Sequence, residues 1–170
     1  ERAQREYDAA FTDRGVLRGL IRRSLEIKKA MIERDEFDEG PRNVFNYGHS
    51  FGHALEGYTQ YAIPHGIAVC FGMDVANQIS VALGLLDAGA AAEMRTLLER
   101  NWAPTRPGPV DLDRYFALLR QDKKNVDGDV RVILSRGLGD MFITRIPLDD
   151  RVRSVVGRCF AEYSAGVDST

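Results

Sequence analysis

The run Asn46-Tyr-Gly48-His49-Ser-Phe-Gly52-His53-Ala-Leu-Glu56 sets two glycines and two histidines at four-residue intervals. Residues four apart on a helix lie one above the other on the same face, so His49 and His53 point the same way if the segment is helical. Asn46 lies three residues before His49 and Arg42 four before Asn46. A helix through the whole run would therefore stack amide, imidazole and imidazole on one stripe, with a guanidinium at its mouth. Each glycine lowers helix propensity by roughly 1 kcal/mol relative to alanine. That cost makes sense if another backbone or a ligand must come close, and plain helix packing through small residues is the alternative.

The chain has three histidines, and the third, His65, follows Pro64 a short distance on. Proline suits the entry to a helix, here expected from about His65 to Leu86 with Val69, Met73, Ala76 and Ile79 on one face. A metal ion can then be pinned between two helices by an imidazole from each. Neutral imidazole favours zinc and its first-row neighbours, which take three or four ligands in catalytic sites. A lone histidine is more often a satisfied polar residue than a ligand; three so close in sequence shift the balance toward a metal and anion site.

Apolar periodicity elsewhere predicts helices over Tyr7 to Phe11 and Val16 to Arg34. In the second, Leu17, Leu20, Ile21, Leu25, Ile27 and Met31 form a stripe that sets Lys28 beside the core, near its rim. Asp35 to Pro41 breaks the pattern, and the motif helix is expected to start soon after Arg42 and end near Gly57. Asp87 and Asp111 are N-cap candidates for helices through about Arg100 and Leu119, with Ala103 to Pro109 as a loop between them. Val130 to Leu134 and Met141 to Ile146 are the strand candidates, joined as a hairpin across Ser135 to Asp140. Asp149 to Tyr163 closes the chain as an amphipathic helix using Val152, Val155, Val156 and Phe160. The expected fold class is mainly α with one short β-hairpin. The 170 residues, 44% hydrophobic, suit a single domain with one core.

A net charge of −2 and a pI near 6 argue against nonspecific nucleic-acid binding. The absence of a long apolar run or signal-peptide pattern argues against membrane insertion and secretion. Cys70 and Cys159 are far apart with no Cys-x-x-Cys pairing, which fits reduced thiols in a reducing, cytoplasmic setting.

At the histidine run the sequence resembles the dehydroquinate synthases and related sugar-phosphate cyclases. Their C-terminal domain carries an Arg, an Asn, Gly-His-[Ser/Thr]-x-Gly-His-Ala-x-Glu and then His-Gly-x-Ala-Val. Arg42, Asn46, Gly48 to Glu56 and His65 to Val69 supply each element. Similarity continues through Lys28 and Asp35-Glu36 upstream and through Asp122-Lys123-Lys124 and Val130 to Leu134 downstream, covering the chain from about Ile21 to Ile146.

The resemblance implies that His49 and His65 ligate a divalent metal, zinc first and cobalt as the alternative. It implies that Asn46 and His53 hold the substrate phosphate, joined by one of Lys123 and Lys124, and that Lys28 and Arg42 meet the carboxylate end. Arg42 can grip a carboxylate through two parallel hydrogen bonds, which lysine cannot match. Donors and cations around a departing phosphate stabilise the charge that builds there. In such enzymes NAD oxidises a substrate carbinol transiently, phosphate is eliminated, the carbonyl is reduced again and the ring closes by an aldol step.

The family places a Rossmann-like NAD-binding domain and a third metal ligand, a Glu, upstream of this region. No Gly-x-Gly-x-x-Gly fingerprint occurs here. The expectation is an isolated C-terminal metal and substrate domain, inactive alone, from a homodimeric 3-dehydroquinate synthase acting on 3-deoxy-arabino-heptulosonate 7-phosphate in the shikimate pathway. Two alternatives remain open: a secondary-metabolism cyclase using an amino analogue, a heptulose phosphate or a hexose phosphate, and a noncatalytic helical metal-binding or assembly module.

Overall fold

A computed structural model of the chain describes residues 2–37, 40–103, 105–121 and 129–165. These fall into two compact units, Glu1–Phe45 and Asn46–Thr170.

The first unit holds two helices, α1 (Arg2–Ala10) and α2 (Arg14–Arg34). Asp13 separates them and caps α2, its carboxylate accepting from Gly15 N at 2.7 Å and Val16 N at 3.2 Å. Tyr7 and Phe11 meet edge to face at 5.2 Å, and Arg23 reaches back to Glu6. The stripe read from the sequence does not face a core: α2 contains no buried residue, and Lys28 is exposed. Ile21, Leu25 and Ile27 are more than half exposed, at 53%, 61% and 53%. A short 3-10 helix, Pro41–Asn46, follows.

The second unit is built around α4 (His65–Ala82), which contacts α3 (His49–Tyr58), α5 (Ala88–Trp102), the hairpin and α7 (Asp150–Ser164). Such a helix must be small or apolar on most sides, and Ala68, Phe71, Gly72, Val75, Ala76 and Ile79 are all buried. It ends four residues earlier than expected, where Leu83 and the left-handed Gly84 (φ 71°) turn the chain. Capping carboxylates start α5 (Asp87 to Ala90 N, 3.0 Å), α6 (Leu112–Arg120; Asp111 to Asp113 N, 2.9 Å) and α7 (Asp149 to Val152 N, 2.9 Å).

Strands β1 (Asp129–Gly137) and β2 (Asp140–Pro147) pair antiparallel, with Val132 opposite Thr144 and Gly137 opposite Asp140. They run further into the expected divider than the sequence indicated, leaving only Leu138 and the left-handed Gly139 (φ 83°) as the loop. Ser80 Oγ on α4 accepts from Ser135 N at 3.1 Å and ties the hairpin to the core. Phe71, Trp102 and Tyr163 form an aromatic group with centroids 4.6 to 5.4 Å apart. Beside it the fully buried Asp74 accepts from Arg95 and from the Tyr163 hydroxyl.

Candidate metal centre

Helices α3 and α4 cross at unusually short range, and the glycines are the cause. A Cβ on Gly72 would lie 2.0 Å from the Gly48 carbonyl oxygen and 2.7 Å from Gly52 N. A Cβ on Gly48 would lie 2.6 Å from the Val69 carbonyl oxygen, and Gly48 also adopts φ 78°, a left-handed conformation that favours glycine. Gly48 and Gly52 thus let a second backbone approach closely, and this is helix packing through small residues with no ligand involved.

Gly48 is the N-cap of α3, so the helix starts at His49 and not soon after Arg42. The single stripe through Arg42, Asn46, His49 and His53 is therefore corrected: Arg42 and Asn46 lie on the 3-10 helix, and the Tyr47-Gly48 turn intervenes. The left-handed glycine breaks the register. From His49 onward the spacing argument holds, and His49, His53 and Glu56 follow one another on one face of α3.

His49 opens α3 and His65 opens α4. Their ring centroids are 5.3 Å apart, and His53 lies 5.4 Å from His49 and 5.7 Å from His65. One ring nitrogen from each of the three falls within 4.8 Å of the others. Tetrahedral zinc with bonds of about 2.0–2.1 Å would bring such nitrogens to about 3.3 Å, a contraction within reach of side-chain rotation.

The three rings are not equivalent. His49 Nδ1 lies 3.3 Å from the Tyr47 carbonyl oxygen, and His65 Nδ1 lies 3.1 Å from both carboxylate oxygens of Glu56. Carbonyl and carboxylate oxygens only accept, so both contacts call for the tautomer with its proton on Nδ1, which leaves Nε2 as the nitrogen a metal would take, the arrangement found around metal-ligating histidines. His53 is exposed and has no hydrogen-bonding partner among the described residues. Burial lowers the pKa of His49, and the neighbouring His53 and His65 lower it further, against the raising effect of hydrogen bonds that the ring donates to the Tyr47 and Asn46 backbone. A helix N-terminus also disfavours an imidazolium. The neutral form that a metal requires is thus favoured at His49, and the donor set fits zinc or cobalt.

The other expected site residues are distributed as follows. Asn46 is half-buried just before the turn. Lys28 lines a groove of about 400 Å³ between α1 and α2, with Glu6, Tyr7, Arg23 and Phe45 among its walls. Arg42 is half-buried in the N-terminal unit, donating from Nη1 to the Glu36 carbonyl at 2.8 Å and from its backbone N–H to Asp35 at 3.0 Å. Lys123 and Lys124 lie outside the described residues. Sequence reasoning gives Glu56 no role of its own, and its spacing from His49 and His53 is the signal that points to one. Both cysteines are free, Cys70 half-buried and Cys159 buried. No helix among the described residues is long and apolar enough to cross a membrane.

A family model described as 3-dehydroquinate synthase C-terminal matches residues 2–125. The chain is 41% identical over 134 residues to a 3-dehydroquinate synthase of Sulfurovum sp. (strain NBC37-1), covering 77% of this chain and 38% of that protein. It is 36% identical over 141 residues to one of Dehalococcoides mccartyi (strain CBDB1), covering 83% of this chain and 39% of that protein. The chain thus spans about two fifths of the length of these relatives. Among solved structures, a 2-epi-5-epi-valiolone synthase from Streptomyces hygroscopicus subsp. jinggangensis 5008, with NAD+ and Zn2+ bound, superposes with a TM-score of 0.69 at 20% identity, covering 89% of this chain and 41% of that one. A 2-deoxy-scyllo-inosose synthase complexed with carbaglucose-6-phosphate, NAD+ and Co2+ gives 0.63 at 24% identity, covering 72% and 36%. These two likenesses establish the fold.

Proposed function

This chain belongs to the 3-dehydroquinate synthase C-terminal family, and we propose that it is the metal- and substrate-binding domain of an enzyme that cyclises 3-deoxy-arabino-heptulosonate 7-phosphate to 3-dehydroquinate with loss of phosphate. The observation that carries this reading is the meeting of His49 and His65 at the first residues of two helices, each with Nδ1 against an acceptor oxygen. These two rings hold zinc, or cobalt in its place, together with a carboxylate from outside these residues. The metal, when bound, polarises oxygen atoms of the substrate.

The chain's own side chains do the rest of the work assigned here. His53, unengaged among the described residues and beside the two ligands, donates to the substrate phosphate, with Asn46 and one of Lys123 and Lys124 completing that pocket. Charge builds on the phosphate as its C–O bond breaks, and donors already in place stabilise it without reorganising. Arg42 and Lys28 are the residues assigned to the substrate carboxylate. NAD is held mainly by a part of the protein other than these residues. The enzyme is taken to be a cytoplasmic homodimer without nucleic-acid or membrane partners. The names of the relatives favour this substrate over those of the secondary-metabolism cyclases.

The test is phosphate release by the complete enzyme, with bound metal measured in parallel. His49→Ala and His65→Ala are expected to lose both metal and activity. His53→Ala should keep its metal and bind substrate about tenfold or more weakly, a charge-assisted hydrogen bond being worth about 1.5–3 kcal/mol. Unchanged metal content in either of the first two variants refutes the ligand assignment. Faster turnover of an amino analogue or a hexose phosphate than of the heptulosonate phosphate refutes the substrate.

A further inference from the structure

Glu56 is 8% exposed and follows two buried apolar residues, Ala54 and Leu55, on α3. A carboxylate in such a place is costly unless it is paired. Its partner is His65, whose Nδ1 stands 3.1 Å from both carboxylate oxygens. The exposures are unequal: the His65 side chain is 56% exposed and that of Glu56 only 10%. The buried acid therefore holds the imidazole by its inner edge, and the edge bearing Nε2 is left to the open side. The backbone secures the same residue a second time, since the chain turns back after α3 and Tyr61 N donates to the Glu56 carbonyl at 2.8 Å.

We propose that Glu56 is a positioning residue for the metal centre. Its carboxylate accepts the Nδ1–H of His65, fixes the ring's orientation and tautomer, and so presents Nε2 beside His49. This rests on the reading of His65 as a ligand. It adds a division of labour along α3, in which His49 faces the metal directly and Glu56 acts on it through the neighbouring helix. His49 receives the corresponding support from the Tyr47 backbone carbonyl at 3.3 Å, so among the described residues only the His65 side of the site depends on a side chain for its orientation.

The experiment is 15N NMR of histidine-labelled, metal-free complete protein across a pH series, read on its high-pH plateau, followed by zinc titration of variants. The wild type is expected to show His65 as a single Nδ1–H tautomer. Glu56→Ala should show His65 exchanging between tautomers, His49 unchanged, and a zinc Kd raised by about 10- to 100-fold, the usual effect of removing such a partner. Glu56→Gln, which keeps an acceptor oxygen, should retain the tautomer and most of the affinity. A wild-type His65 protonated at Nε2 or averaging between tautomers overturns the proposal, and this result needs no variant to fold. An unchanged zinc Kd in folded Glu56→Ala overturns it as well. His65→Ala separates the two claims: zinc binding that survives in that variant removes the ligand reading itself.

Discussion

Gly72→Ala should damage both the fold and the metal centre, because the added methyl enters the α3–α4 crossing. It would stand 2.0 Å from the Gly48 carbonyl oxygen, whereas carbon and carbonyl oxygen normally approach no closer than about 3.3 Å. The helices must part locally by about 1.3 Å to accommodate it. The obstructing atoms are backbone, so no rotamer change relieves the clash. The same Gly48 oxygen accepts the first-turn hydrogen bond from Gly52 N at 2.9 Å, which would be strained too. Overpacking of this kind costs about 1–3 kcal/mol or more, and alanine's better helix propensity returns at most about 1 kcal/mol. At the upper end of that cost, a net loss of about 2 kcal/mol lowers Tm by about 4–8 °C in a chain of this size. Parting the helices also moves His49 and Glu56 away from His65, so zinc affinity should fall at least about tenfold, in line with lost ligand support. Gly66→Ala is the control: it adjoins His65 in sequence, and a Cβ there meets nothing within 4 Å. Its Tm should hold or rise by up to about 4 °C, since the methyl meets no clash and alanine favours the helix. Circular dichroism melts and zinc titration read both quantities, and a Gly72→Ala protein indistinguishable from Gly66→Ala refutes the reasoning.

Gln60 and Tyr61 adopt φ of 52° and 62° in the turn between α3 and α4, a conformation costing a non-glycine residue about 1–2 kcal/mol. Tyr61 is exposed, so Tyr61→Gly should raise stability by about 0.5–1 kcal/mol, with a lower Tm as the contrary result. Arg95→Ala leaves Asp74, fully buried, with the Tyr163 hydroxyl as its remaining side-chain partner and should cost about 3–5 kcal/mol in denaturant unfolding; a cost under about 1 kcal/mol contradicts this. Burial, aided by Asp74, pushes the Cys159 thiol up to about 12. The folded chain keeps this proton above pH 9, where the unfolded chain loses it, so stability falls as pH rises through the window from about 9 to 12, by up to about 1.4 kcal/mol per pH unit. Cys159→Ala should flatten the slope between about pH 9 and 10, below the usual tyrosine range, and an equally steep slope would count against the assignment.

Element identity was legible wherever a local signal was sufficient. Asp87 and Asp111 each cap the helix expected after them, Asp149 caps the helix expected to begin with it, and Val152, Val155, Val156 and Phe160 bury the face of α7 that their spacing implies. The pairing of His49 with His53 followed from helical geometry and did not need to be seen. What sequence could not supply was the φ of Gly48. A glycine inside a helix and a glycine beginning one look alike in a periodicity argument, and the difference moved Arg42 and Asn46 off the stripe. The exposed face of α2 failed for another reason: amphipathic spacing says which side is apolar and not whether a partner covers it. Glu56 belonged to the same spacing as the histidines, yet its role became visible only when the turn after Tyr58 brought His65 to its carboxylate.

The most direct test of the central claim is an anomalous-scattering map from a crystal of the complete protein grown with zinc. The account predicts one peak about 2.0–2.1 Å from Nε2 of both His49 and His65, with His53 beyond bonding distance and Glu56 on the far side of the His65 ring. A peak bound through Nδ1 of His65, bound to His53 in place of either ligand, or absent from this cluster altogether would contradict it.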